Sequence, residues 1–145
     1  MKNIYFAGSI TGGRDDAPVY AILIEYLKTK GKVLTEHIGS SSILEKGEEN
    51  SNEGTKMSFE DIYLRDIDWI KEADILIAEV TKPSLGVGYE LGFAEKLNIP
   101  IICLYREDET NKDKRLSAMV DGNKYNIVIK YKDINEVILK LDKYL

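Results

Sequence analysis

Along this chain, apolar runs short enough for strands alternate with stretches in which apolar residues recur every three to four positions. The runs are Ile4 to Ala7, Val33 to Thr35, Ile75 to Val80, Ile101 to Tyr105 and Ile127 to Ile129. The helical patterns pass through Val19 to Lys30, around Asp66, around Glu90 and through Val137 to Leu141. Runs without polar alternation read as strands buried on both faces, and strand-helix alternation implies parallel crossovers. The pattern predicts a single α/β domain over residues 1–145, with a three-layer Rossmann-like or flavodoxin-like fold. Its central, mostly parallel sheet should hold about five strands, with ligands at their carboxyl ends. Between Ile38 and Lys56, Gly, Ser, Asn and Glu replace the periodicity, which predicts either a lid over the site or an exposed loop.

Two acids interrupt otherwise apolar helical stripes. After the run Asp74 to Val80, the turn Thr81-Lys82-Pro83-Ser84 leads into Gly86-Val87-Gly88-Tyr89-Glu90-Leu91-Gly92. This reading puts Glu90 in the first turn of a helix, where unfilled N–H groups and the dipole hold a carboxylate charged, as a nucleophile requires. At about 100° per residue, Glu90 shares a stripe with Phe93, Ala94 and Leu97 that should pack on the sheet. The second acid is Asp66, in the middle of a face formed by Phe59, Ile62, Tyr63, Trp69, Ile70 and Ala73. A buried carboxyl either acquires a raised pKa, as a general acid needs, or is held by a backbone group or an arginine as a structural acid. Leu64 and Ile67 lie off that stripe and are expected on the surface, where a second subunit would cover them.

Composition narrows the chemistry. A formal net charge of −5 argues against a nucleic-acid polymer as partner, because phosphate-backbone binding rests on clustered Lys and Arg. It leaves room for a single nucleotide held by a glycine-rich turn and hydroxyls. With only His37 and Cys103 as nitrogen or sulfur ligands, no zinc site and no cofactor are expected, while the carboxylates leave magnesium open. Cys103 lies within an apolar run and reads as a buried strand thiol, so a reducing compartment is expected. No apolar stretch approaches the ~20 residues that span a bilayer, and the chain enters its first strand almost at once, so a cytoplasmic protein without membrane contact is the expectation.

After the first run comes Gly8-Ser9-Ile10-Thr11-Gly12-Gly13-Arg14, followed by Asp15, Asp16 and Pro18, which suit a helix start. Glycines allow backbone N–H groups to approach an anion, and Ser9, Thr11 and Arg14 add donors, so the segment reads either as a phosphate cradle or as a plain tight turn. Neither the Rossmann fingerprint nor the P-loop pattern is present. Ser84 is a further hydroxyl near the same edge, or simply a helix cap.

Several blocks taken in order, Ile4 to Ile10, Thr35-Glu36-His37, Arg65 to Trp69, Ala78 to Thr81, Pro83 to Gly92 and Leu116 to Met119, resemble the 2'-deoxynucleoside 5'-monophosphate N-hydrolases. These form part of the nucleoside 2-deoxyribosyltransferase superfamily. The resemblance implies cleavage of a deoxynucleotide N-glycosidic bond to free base and 2-deoxyribose 5-phosphate. It implies Glu90 as nucleophile, Asp66 as general acid and base, and Tyr5 beside the nucleophile. It also implies phosphate contacts from Ser9, Ser84 and Ser117, the last reaching in from a neighbouring subunit of a homodimer or higher oligomer. Substrate-binding roles are implied for Ile10, Thr11, Gly12, Arg14, His37, Gly86, Gly88 and Met119. Thr11 stands where family members acting on monophosphates often carry arginine, so Arg14 or another residue has to supply that contact. Transfer of deoxyribose between bases and nucleotide binding without turnover are the alternative readings. The acid-nucleophile pair requires Asp66 and Glu90 on one face of the sheet. Were they on opposite faces, Glu79 would be the alternative acid.

Overall fold

The computed structural model describes residues 1–10, 16–39 and 57–145. Thr11, Gly12 and Arg14, and most of the Ile38 to Lys56 segment, lie outside the described residues. The elements are β1 (Asn3–Gly8), α1 (Ala17–Lys28), β2 (Lys32–Val33), a 3-10 turn (Glu36–Gly39), α2 (Phe59–Glu72), β3 (Ile75–Glu79), α3 (Leu85–Lys96), β4 (Ile101–Arg106), α4 (Ala118–Asp121), β5 (Ile127–Tyr131) and α5 (Ile134–Leu141). The strands form one parallel sheet in the order β2-β1-β3-β4-β5. This is the flavodoxin-like order expected from strand-helix alternation.

Strand alternation divides the core into two layers. Ile4, Phe6, Ile75, Ile77, Ile102 and Leu104 face α1 and α5, where they meet Tyr20, Leu23, Leu27 and Val137. Tyr5, Ala7, Leu76, Ala78, Ile101 and Cys103 face α2 and α3, where they meet Ile70, Ala73, Val87, Leu91 and Ala94. Because every interior strand is covered on both sides, its residues are apolar without alternation.

Several sequence expectations shift. The Val33 to Thr35 run yields only a two-residue strand. Thr35 leaves the ladder, and its hydroxyl accepts the Phe6 N–H at 2.9 Å and donates to the Phe6 carbonyl at 2.7 Å. Ile38, assigned to the loop, is buried in the core. In α2 the buried residues are Ile67 and Ile70, whereas Phe59 and Tyr63 are exposed. The buried stripe of α2 is confined to its later turns. Ile67 is therefore a core residue rather than a surface one, and Leu64 remains exposed as expected.

Candidate active site

The acid on α3 is held from across the sheet. Tyr5, 1% exposed on β1, directs its side chain into the α2–α3 layer, and its hydroxyl donates to Glu90 Oε2. The helix start is a residue-by-residue correction to the expected position. Ser84 is the N-cap and accepts the Val87 N–H at 3.2 Å, so Glu90 is the sixth helical residue and lies beyond the first turn. At that position the backbone N–H groups already bond within the helix, so the carboxylate takes a bond from the phenol and none from an unfilled helix start. The buried stripe of α3 is Val87, Leu91 and Ala94, with Glu90 at its half-buried edge and Leu97 exposed. The packed stripe is thus rotated from the predicted one, and it leaves Glu90 on the side of α3 that shares a cavity with α2.

Glu90 and Asp66 line the same cavity of about 500 Å³, together with Tyr63, Ile67, Ile70, Gly86 and Tyr89. Both acids therefore lie on one face of the sheet, which is the condition their pairing needs. Asp66 Oδ1 accepts from Arg65 Nη2 at 2.9 Å and Nε at 3.0 Å. The guanidinium lies over the Trp69 ring at 4.8 Å, and the His37 ring packs against the same Trp69 at 5.4 Å. Arg65 at i and Trp69 at i+4 share a helix side, so the arginine that the sequence offers as an alternative partner for Asp66 is seated on the tryptophan. At the cavity mouth the Tyr63 and Tyr89 rings meet edge-to-face at 6.3 Å, their hydroxyls 3.5 Å apart.

A second cavity, about 520 Å³, lies on the other side of α3 and is lined by Ser84, Gly88, Leu91, Ser117 and Met119 among others. Gly86 lines the first cavity and Gly88 the second, as their positions around the helix dictate. Ser117 caps α4 and accepts the Met119 N–H at 3.2 Å. Within one chain, Ser117 and Met119 are therefore separated from Glu90 by the thickness of α3. Ser9 is buried where β1 ends, and its N–H donates to the Tyr20 hydroxyl at 3.0 Å, while Ile10 packs against the α1–α5 core.

Glu79 occupies the opposite face of the sheet from the acid pair. It is 0% exposed and accepts the Thr81 N–H at 2.7 Å, the Thr81 hydroxyl at 3.0 Å and the Tyr131 hydroxyl. Burial pushes its pKa up. Its oxygens are thus engaged within the fold, and it is not an alternative to Asp66. Burial also pushes the Cys103 thiol up to about 12, which leaves it unreactive in its strand. No helix among the described residues is long and apolar enough to cross a membrane.

The family model described as Nucleoside 2-deoxyribosyltransferase matches residues 4–127. A 5-hydroxymethyl-dUMP N-hydrolase from Esox lucius is 43% identical over 134 residues, spanning 92% of this chain and 88% of its own length. The protein of that name from Homo sapiens is 41% identical over 145 residues, spanning 97% of this chain and 78% of its own. Among solved structures, a CMP N-glycosidase from Clostridium botulinum superposes with a TM-score of 0.64 at 26% identity, over 99% of this chain and 100% of its own.

Proposed function

We propose, from the premise that this chain belongs to the nucleoside 2-deoxyribosyltransferase family and is an N-glycosidase, that its substrate is a 2'-deoxynucleoside 5'-monophosphate. The products are then the free base and 2-deoxyribose 5-phosphate. The observation that carries this reading is the shared cavity of Asp66 and Glu90, with the buried Tyr5 phenol on the latter. The names of the relatives and of the structural neighbour specify nucleoside monophosphates, a deoxyribonucleotide for the former and a ribonucleotide for the latter. Identity is higher to the deoxynucleotide enzymes, which favours the deoxyribose.

In the proposed reaction a Glu90 carboxylate oxygen attacks the anomeric carbon as the bond from that carbon to the base nitrogen breaks. Asp66 delivers its proton to the departing base. The resulting ester joins deoxyribose 5-phosphate to Glu90. Asp66, now a carboxylate, takes a proton from water, whose oxygen attacks the anomeric carbon and frees Glu90. A carboxyl pair acting this way works best about 5 to 5.5 Å apart, and both acids project from neighbouring helices into one space. Arg65 holds Asp66 in place over the Trp69 ring, against which His37 also packs.

The phosphate end rests on Ser9 and Ser84, with Gly86 and Gly88 leaving the backbone of α3 approachable. Ile10, Thr11, Gly12 and Arg14 belong to the same proposed end. Ser117 and Met119 line the second cavity beside Ser84 and Gly88, and are assigned here to the Asp66–Glu90 cavity of a second copy. The exposed apolar side chains Leu64, Leu85 and Met119 suit such a homodimer.

The test is base release from deoxynucleoside monophosphates, the matching ribonucleotides and unphosphorylated nucleosides, followed by chromatography. Glu90→Gln keeps the shape and removes the nucleophile, so turnover should disappear while nucleotide binding persists. Retained turnover in that variant removes Glu90 from the role. Addition of a second free base separates hydrolysis from transfer, since a new nucleoside or nucleotide appears only in the latter.

A further inference from the structure

On the face of the sheet turned away from Asp66 and Glu90, a buried polar chain runs beneath the carboxyl ends of four strands. Tyr131, at the end of β5, donates to Glu79 at the end of β3. Glu79 is bound by Thr81, whose hydroxyl oxygen accepts the Arg106 N–H at 2.8 Å at the end of β4. The Arg106 guanidinium pairs with Asp16, 3% exposed at the N-cap of α1. Asp16 makes no side-chain cap bond to its own helix, so its carboxylate serves the sheet edge instead. Four residues on, the Tyr20 hydroxyl accepts the Ser9 N–H at 3.0 Å beyond the end of β1. The Tyr20 ring occupies the space a side chain at Gly8 would need, since an added Cβ would meet its Cζ at 2.9 Å.

Such a network is an inefficient way to stabilise a fold. Buried ion pairs and carboxylates lose hydration that their mutual attraction only partly restores, and apolar replacements of like volume are often neutral or stabilising. What bonds of this kind give is a single fixed arrangement. Here they fix the exits of β1 and β3, which are neighbours in register through Gly8 and Glu79. Ser9 follows one exit directly, and Thr81 lies three residues before Ser84 at the other.

We infer that this network is a positioning frame for the phosphate end of the site, in which Tyr20 sets Ser9 and the Asp16–Arg106–Thr81 chain sets the turn that carries Ser84. The inference rests on the proposed monophosphate reading. Two hydroxyls recognise one phosphate only if their separation is held to about 0.5 Å, and the frame ties the strand exits that lead to both serines. Tyr20, Arg106 and Tyr131 act through the serines and are positioning residues.

Tyr20→Phe removes one oxygen and keeps the ring against Gly8. The KM for a deoxynucleoside monophosphate should rise about fivefold, and the inhibition constant of inorganic phosphate as a competitor by a similar factor, with kcat within about twofold. Arg106→Lys, which keeps a charge on Asp16 but loses the planar fork, should move both constants in the same direction. A purely structural network predicts a lower melting temperature with KM and the phosphate constant unchanged, and that result overturns the inference. So does a fall in kcat at constant KM. A wild-type enzyme that is neither inhibited by phosphate nor selective for the monophosphate over the nucleoside overturns the monophosphate reading itself. Selective wild type with unresponsive variants overturns the positioning frame alone.

Discussion

Replacing Tyr5 by Phe removes a buried donor from the proposed nucleophile. The substitution deletes a single oxygen from a ring packed among Ala7, Leu76 and Leu91, so the core keeps its shape. What is lost is a hydrogen bond from the phenol to a carboxylate. Bonds to charged groups contribute about 1.5–3 kcal/mol, which corresponds to about 10- to 150-fold in rate if the whole effect falls on the reacting geometry. Glu90 is half-buried and borders an open cavity, so water offsets part of the loss and the low end applies. The expected result is kcat for base release reduced about tenfold, with KM within about threefold, because the substrate meets an intact pocket and a misdirected carboxylate. Stopped-time chromatography of released base gives both constants, and thermal unfolding gives the control. At about 2–4 °C per kcal/mol for a chain of this size, a melting temperature within a few degrees of wild type excludes a folding defect as the cause. A folded Tyr5→Phe enzyme with kcat within twofold of wild type refutes the argument. A raised KM at unchanged kcat refutes it as well, since the phenol would then be a binding group and not an orienting one.

Three further outcomes follow from other parts of the molecule. Glu79 has its pKa raised by burial above the ordinary 4.5, so its contribution to stability is present below the unfolded pKa and is lost as pH rises through the folded one. In Glu79→Gln, the melting temperature of wild type relative to the variant should therefore decline from about pH 4.5 towards neutrality, and a constant difference would show that this carboxyl does not titrate within the transition. Alanine at Gly31 would put a Cβ 2.3 Å from the Lys2 carbonyl oxygen, whereas at Gly8 the obstacle is the Tyr20 ring at 2.9 Å. Overpacking costs typically about 1–3 kcal/mol, and Gly31→Ala should lose more melting temperature than Gly8→Ala because backbone yields less than a side chain, an order that calorimetry would reverse if the reasoning were wrong. Leu85, 95% exposed at the first position of α3, tolerates glutamate within a single chain. Leu85→Glu should accordingly keep its melting temperature in dilute solution, reduce the particle size by light scattering and reduce base release with it, whereas unchanged size and activity would remove the shared site.

The legible parts of the sequence were those with local causes. The run Asp74 to Val80 announced β3, and the Pro83-Ser84 turn offered a cap for α3 as one of two readings, because strand burial and capping depend on a few adjacent residues. The phase of a helix relative to the sheet was less legible. Glu90 does not occupy the first turn expected for it, and Ile67 does not reach the surface, since the one depends on where its helix starts and the other on how its helix is rotated against the sheet. Arg65 beside Asp66 was visible as an alternative partner, but its seat on Trp69 and the packing of Trp69 on His37 were not. Glu79 illustrates the same limit, because a carboxylate at a strand end reads alike whether it faces a substrate or three buried donors.

The sequence by itself determined the order and kind of the elements, the doubly covered parallel sheet, and which acids were out of place on their stripes. These follow from side-chain periodicity and from turn chemistry, which act over a few residues. Only the tertiary structure decided which acids meet. The Tyr5–Glu90 bond joins residues 85 apart, and the Tyr131–Glu79 bond joins residues 52 apart. Each such contact depends on strand order, register and the face of the sheet a crossover helix takes. Those are properties of the whole chain closing on its core, so one face of the sheet received a cavity with two carboxyls and the other a buried frame of hydrogen bonds.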